Sequence, residues 1–276
     1  VKVTEIKVDE TGTSDDKAYR ALYLYDGSTL AGYTAFAAGA SFTYLKNLEV
    51  VVPANTKKTL TLKADLSGID GTYVLSGSST KLKVASSSII AVGVSSGQTI
   101  VCTGTFSEGY DQYPYKTVVR VALSSDSPSG IKTPSPEEDV LHLDFINDGA
   151  YDATLKSAKF TIAYSAGTSN VPTSTEKLFK VFDSNGVLVA TTTTSGMTTA
   201  INGATMTFSG MTRILPTGTT KLLLKGDTTY AVTGKGVYQS FNVQAVGDVT
   251  WNDAYADVTA RHFLAPLVGG TISYGY

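Results

Sequence analysis

Chemically versatile side chains are scarce in this sequence. Of its 276 residues only two are histidine and one is cysteine, so no internal disulfide can form and no His/Cys metal cluster can be assembled. His142 and His262 each lack a second ligand at metal-binding spacing, and Cys102 sits in the strand-like run TIVCTG, where a small buried side chain is the default. A Ser-centred nucleophile turn, a phosphate-cradling glycine loop and a zinc-binding pair are all missing. No catalytic residue, cofactor site or metal site is therefore expected. Charge is thin as well: charged residues make up 17% and the net charge is -2, below the usual quarter and without the basic surface that nucleic acid requires. No apolar run approaches the roughly 18 residues of a membrane span. The chain opens on Val1 without a charged-then-apolar leader, which fits either a processed chain or a sequence given from its first ordered residue, both compatible with export.

Thr, Ser, Gly and Tyr fill the space that charge leaves, and the apolar residues alternate. KTLTLKADL (58–66) places Leu60, Leu62, Ala64 and Leu66 on one face and Thr59, Thr61, Lys63 and Asp65 on the other, the pattern of a half-buried strand. LYLY (22–25), LEVVV (48–52), TVVRVAL (117–123), VLHLDF (140–145), KFTIAY (159–164), KLLLK (221–225) and FNVQAV (241–246) read the same way, and turn-forming residues separate them. No segment carries a capped apolar stripe of helical period. The fold class is all-β.

The chain also repeats itself. LYLYDGSTLAG (22–32) matches FKVFDSNGVLVA (179–190) when Asp26 is set on Asp183, with one residue inserted in the turn so that Leu30 meets Leu188. PANTKKTLTLKAD (53–65) matches PTGTTKLLLKGD (216–227), setting Leu60 on Leu222, Leu62 on Leu224 and Lys63 on Lys225. AVG recurs at 91–93 and 245–247. Repeated hairpins in one order imply two copies of one sandwich. Between them SSDSPSGIKTPSPEED (124–139) carries three prolines and reads as a stiff linker, which divides the chain into a first sandwich at 1–123 and a second at 140–276.

With these motifs the chain resembles the tandem Ig-like β-sandwich modules of prokaryotic surface proteins, which occur in S-layer-like proteins and in the globular parts of pilins. The resemblance implies an extracellular, cell-surface location and an assembly role, and no chemistry. The expected function is a structural subunit of a filament or surface layer whose partners are copies of itself.

The two copies differ at their starts. VLHLDFIND (140–148) precedes KSAKFTIAY in the second, whereas the matching VKVTEIKV of the first begins at residue 1. The first sandwich is thus expected to lack an opening strand, with an open edge near Val1 and Val3 that another subunit covers with a strand or a hydrophobic helix. Tyrosines mark the other candidate interfaces. Tyr110, Tyr113 and Tyr115 surround Pro114 in GYDQYPY, and Ile272, Tyr274 and Tyr276 follow two glycines in the tail. The loop tyrosines either fold back over their own sandwich, form a protein interface or stack on a glycan, which keeps an adhesin or carbohydrate-binding module as the alternative. The tail is either a docking strand or the last strand of its own sandwich. DSNG (183–186), GIDG (68–71) and PEED (136–139) concentrate oxygen ligands, but none supplies the six to eight that calcium takes.

Overall fold

The structure is a computed structural model that describes residues 1–12, 18–37, 40–69, 74–105, 108–164, 179–192, 204–229, 237–244, 246–259 and 266–274. The described chain is all strand apart from short 3-10 turns, as the alternation predicts. It divides into two compact units, Val1–Tyr115 and Lys116–Tyr276.

The first unit holds β1 (Lys2–Gly12), β2 (Tyr19–Asp26), β3 (Thr29–Ala35), β4 (Phe42–Leu45), β5 (Val50–Val51), β6 (Leu60–Leu66), β7 (Thr80–Lys83), β8 (Ile89–Val92) and β9 (Thr99–Val101). β1 is the spine of a six-stranded sheet, flanked by β4 and β5 on one side and by β7 and β8 on the other, with β9 beyond β8. The second sheet has only three strands, ordered β3-β2-β6. Ile6, Val8 and Leu45 from the larger sheet meet Leu22 and Leu24 from the smaller in one core, so the apolar faces of two sheets exclude water between them.

The second unit holds β10 (Val119–Leu123), β11 (Gly130–Lys132), β12 (Glu138–Asn147), β13 (Ala153–Tyr164), β14 (Phe179–Asp183), β15 (Leu188–Thr191), β16 (Ala204–Phe208), β17 (Arg213–Leu215), β18 (Gly218–Gly226), β19 (Val237–Val243), β20 (Val249–Asn252), β21 (Asp257–Thr259), β22 (Leu267–Val268) and β23 (Ile272–Tyr274). Here β13 is the spine of a nine-stranded sheet, and the facing sheet has five strands, β10-β12-β18-β14-β15.

The aligned positions of the two units make matching strand pairs. Asp26 lies opposite Leu60 as Asp183 lies opposite Leu222, and Tyr25 opposite Leu30 as Phe182 opposite Leu188. The bulges recur too: one falls between Leu24 and Tyr25 and again between Val181 and Phe182, another between Val3 and Glu5 and again between Leu155 and Ser157. Bulges bend and twist a strand at a defined point, and here they fall at matched positions of the two units. The AVG match does not belong to this repeat: the first copy ends β8, while Val246 of the second lies in the 3-10 turn before β20. The segment expected to be a linker is part of the second unit. β10 pairs with β12 and β11 runs parallel to β23, so the units meet at Tyr115 and Lys116 and not across 124–139. Prolines misled here because an edge strand of three residues fits between them without surrendering ladder donors.

Where the repeats differ in size they compensate. Leu22 faces Ala64 in the first unit, and Phe179 faces Gly226 at the equivalent pair of the second. A Cβ on Gly226 would lie 2.1 Å from Phe179 Cε1. Gly226→Ala is expected to cost about 1–3 kcal/mol by overpacking. Adding Phe179→Leu, which rebuilds the Leu22–Ala64 combination, should recover most of it. Urea unfolding followed by the fluorescence of Trp251, the single tryptophan, reads both.

Candidate functional site

Alternation puts Leu60, Leu62 and Ala64 of β6 on the inner face, where they pack at the margin of the first core. Its outer face is polar and aromatic. Lys63 Nζ lies 4.8 Å from the Tyr25 ring centroid, the Tyr23 hydroxyl donates to Asp65 at 2.8 Å, and the Tyr23 and Tyr33 rings stand 5.1 Å apart. Lys58 pairs with Asp26 at 2.5 Å and ties the approach to β6 to the hairpin turn of β2. One edge of β6 bonds to β2; the other has no strand partner among the described residues.

In the second unit the corresponding edge, that of β18, is paired. There β12 pairs antiparallel along β18, setting Leu141 against Leu224 and Leu143 against Leu222. Leu222 and Leu224 are 4% and 2% exposed, whereas their counterparts Leu60 and Leu62 are only partly buried. The space between Leu141, Leu143, Phe160, Leu222 and Leu224 amounts to about 10 Å³, so that core is filled. Lys225, the counterpart of Lys63, keeps the equivalent ring contact, 5.5 Å from Phe182, and gains a carboxylate, Asp139, at 3.2 Å. The lost opening strand was expected beside Val1–Val8, and that placement is corrected. β1 is paired along both edges, Val3 packs against the core, and the amino group of Val1 donates to the Val52 carbonyl at 2.9 Å. The open edge is on the opposite sheet.

The two tyrosine-rich candidates prove to be the same element in the two repeats. Gly109 N–H donates to the Leu82 carbonyl and Gln112 bridges Thr80; in the second unit Gly269 N–H donates to Phe241 and Ile272 pairs with Gln239. Ile272 and Tyr274 are fully buried in β23, which pairs with β19, so the tail is the last strand of its own sandwich. Tyr276 lies outside the described residues. In the first unit Tyr110 is 92% exposed and Tyr113 is partly exposed, while the Tyr115 ring packs against Gly77.

His142 sits on β12 with Nδ1 3.4 Å from Asp126 Oδ1, close enough for an ion pair but not aligned as a hydrogen bond. Lys221 at 2.8 Å and Ser124 at 2.7 Å hold the Asp126 carboxyl well below the usual carboxylate range. This cluster fastens the turn after β10 onto β12 and β18. Cys102 follows β9 and is partly buried, and His262 lies outside the described residues. Asp183 accepts from the Asn185 and Val187 N–H groups and pairs with Arg213, a turn-forming role. Glu137 and Asp139 of PEED each pair with a lysine of a neighbouring strand. Among the described residues no group of three acidic, His or Cys side chains is placed to hold a metal. A surface hollow of about 350 Å³ lies between Glu5, Lys46, Asn47, Glu49 and Ile90, but its charges pair locally, Lys46 with Glu5 and Glu49 with Lys2. No helix among the described residues is long and apolar enough to cross a membrane.

Comparison with protein families and with curated proteins gives no match. Among solved structures the chain is similar to the collagen adhesin CNA from S. aureus, at 9% identity and a TM-score of 0.22 over 98% of this chain and 81% of that one. The full-length major pilin SpaD from Corynebacterium diphtheriae gives 10% and 0.24, over 99% of this chain and 58% of that one. AvmM, which catalyses macrocyclisation in alchivemycin A biosynthesis, gives 13% and 0.32, over 58% and 89%. Adhesin and pilin domains are thus among the neighbours, but at these identities and TM-scores they carry no statement of function.

Proposed function

We propose that the protein is a non-catalytic structural subunit of an extracellular assembly, a surface filament or layer built from copies of the chain. The observation that supports this reading is what the two units share. Spines, bulges, hairpin turns and the cross-strand pairs of β6 and β18 recur in register. What recurs is a scaffold of strands, turns and cross-strand pairs, as expected where the repeated unit is itself the working part.

Sedimentation and negative-stain electron microscopy of the purified chain over rising concentration, beside antibody labelling of intact cells, test this. Ordered filaments or sheets and surface label are expected, and His142→Ala, His262→Ala and Cys102→Ala together should leave them unchanged. An adhesin or carbohydrate-binding module is the second reading, favoured by the exposure of Tyr110 and by the Tyr23–Tyr33 pair. A chain that stays monomeric at all concentrations and is retained on a glycan array would replace the first reading with the second.

A further inference from the structure

We infer that the free edge of β6 is an acceptor site for one β-strand of another polypeptide, bound antiparallel, with an acidic residue facing Lys63 and leucine-like residues facing Leu62 and Leu60. The inference goes beyond the assembly reading because it names a binding edge and the pattern of its ligand.

The pattern is read from the second unit. In β12 Asp139 lies opposite Lys225, Leu141 opposite Leu224 and Leu143 opposite Leu222. Their counterparts on β6 are Lys63, Leu62 and Leu60, placed by identical pairing to β2 and β14. The ligand is therefore an Asp-x-Leu-x-Leu strand. Main-chain bonds along the edge would supply affinity, and the alternating side chains would supply specificity. Charge agrees: Lys63 has an aromatic neighbour on its own sheet, as Lys225 has, but the carboxylate that Lys225 gains from β12 has no counterpart among the described residues of the first unit.

Two observations narrow the source. Among the described residues each copy of the chain has two such edges, β6 and β18, and one strand of the β12 type. Exchange of β12 between copies would fill one edge by opening another, so the ligand is not a swapped β12. Nor does a copy of the whole 116–147 segment fit. In the second unit that segment passes over Gly270, where an added Cβ would come within 2.5 Å of Ser129 Cβ and 2.7 Å of the Pro128 carbonyl oxygen. The first unit carries Tyr110 at the equivalent place, one residue after Gly109. A single strand on β6 avoids that path.

A synthetic peptide of residues 136–147, PEEDVLHLDFIN, added to the full chain is the probe. Titration calorimetry should show saturable binding at one peptide per chain, and hydrogen exchange should show new protection at 60–66 and none at 218–226. Lys63→Glu should weaken binding about tenfold or more, and a peptide carrying Lys in place of Asp139 should recover it on that variant, a reciprocity that mere loss of folding would not give. Absence of binding, protection elsewhere, or a chain that already pairs β6 with β6 of a second copy, seen as doubled mass with 60–66 protected before peptide is added, would each overturn the inference. Such a failure would leave the assembly reading standing, since particles and surface label, not the peptide, decide that.

Discussion

A chain ending at Gly270 is expected to lose the folded second unit. β23 lies between β19 and β11 and is, among the described residues, the only strand partner of β11, and its Ile272 and Tyr274 are both 0% exposed. Replacing one such side chain by alanine costs about 2–5 kcal/mol. A domain has only about 5–15 kcal/mol in total, so deleting both together with the ladder bonds removes most or all of it. Trp251 is 1% exposed beside the spine, paired with Leu155, and it reports the loss as a red-shifted emission in native buffer. Tyr274→Ala alone should lower the urea midpoint by an amount equivalent to about 3–5 kcal/mol. A truncated chain with unchanged Trp251 emission and midpoint would mean that the tail works outside its own sandwich, as a docking strand does.

The tail illustrates what a sequence does and does not carry. Alternation in TISY announces a strand, but a strand's side chains alternate in the same way whether its hydrogen-bond partner is its own sheet or a neighbour's. The repeat was legible because it is a matter of spacing: Asp26 on Asp183 and Leu60 on Leu222 survive one inserted turn residue, and pairing reproduces them. AVG was three small residues without a structural constraint, and it fell on different elements. That β12 has no match among the described strands of the first unit was legible, yet not the place where β12 pairs. Sequence order suggests that a strand preceding β1 lies beside it, whereas β12 crosses to the other sheet and pairs with β18, a strand about eighty residues later. One clue was available. EED at 137–139 and Lys225 are a complementary pair across that ladder, and Lys63 repeats the lysine without the acid. The 124–139 boundary failed because composition registers proline content, while the short edge strand Gly130–Lys132 fits between Pro128 and Pro134, with Gly130 at φ +83° where the chain enters it.

The strand difference also sets the energetics of the two leucine rows. Leu224→Ala should destabilise the second unit by about 2–5 kcal/mol, because its side chain is 2% exposed in a filled core between β12, β14 and β13. Leu62→Ala, the same substitution at the same place in the repeat, should cost only about 1 kcal/mol, in proportion to the smaller apolar area it has removed from water. Its cavity is open at the β6 edge and fills with solvent, so little penalty for a void is added to the transfer loss. Trp251 emission during urea unfolding measures the first variant. Hydrogen exchange across β2 and β6, which share one ladder, measures the second, as a rise in exchange rate of roughly fivefold for each kcal/mol lost. Equal costs at the two positions would mean that the β6 edge is already covered in the free chain. If a strand occupies that edge, its presence should raise the cost of Leu62→Ala toward that of Leu224→Ala, because the bound strand closes over the leucine as β12 does and turns an open notch into a buried cavity.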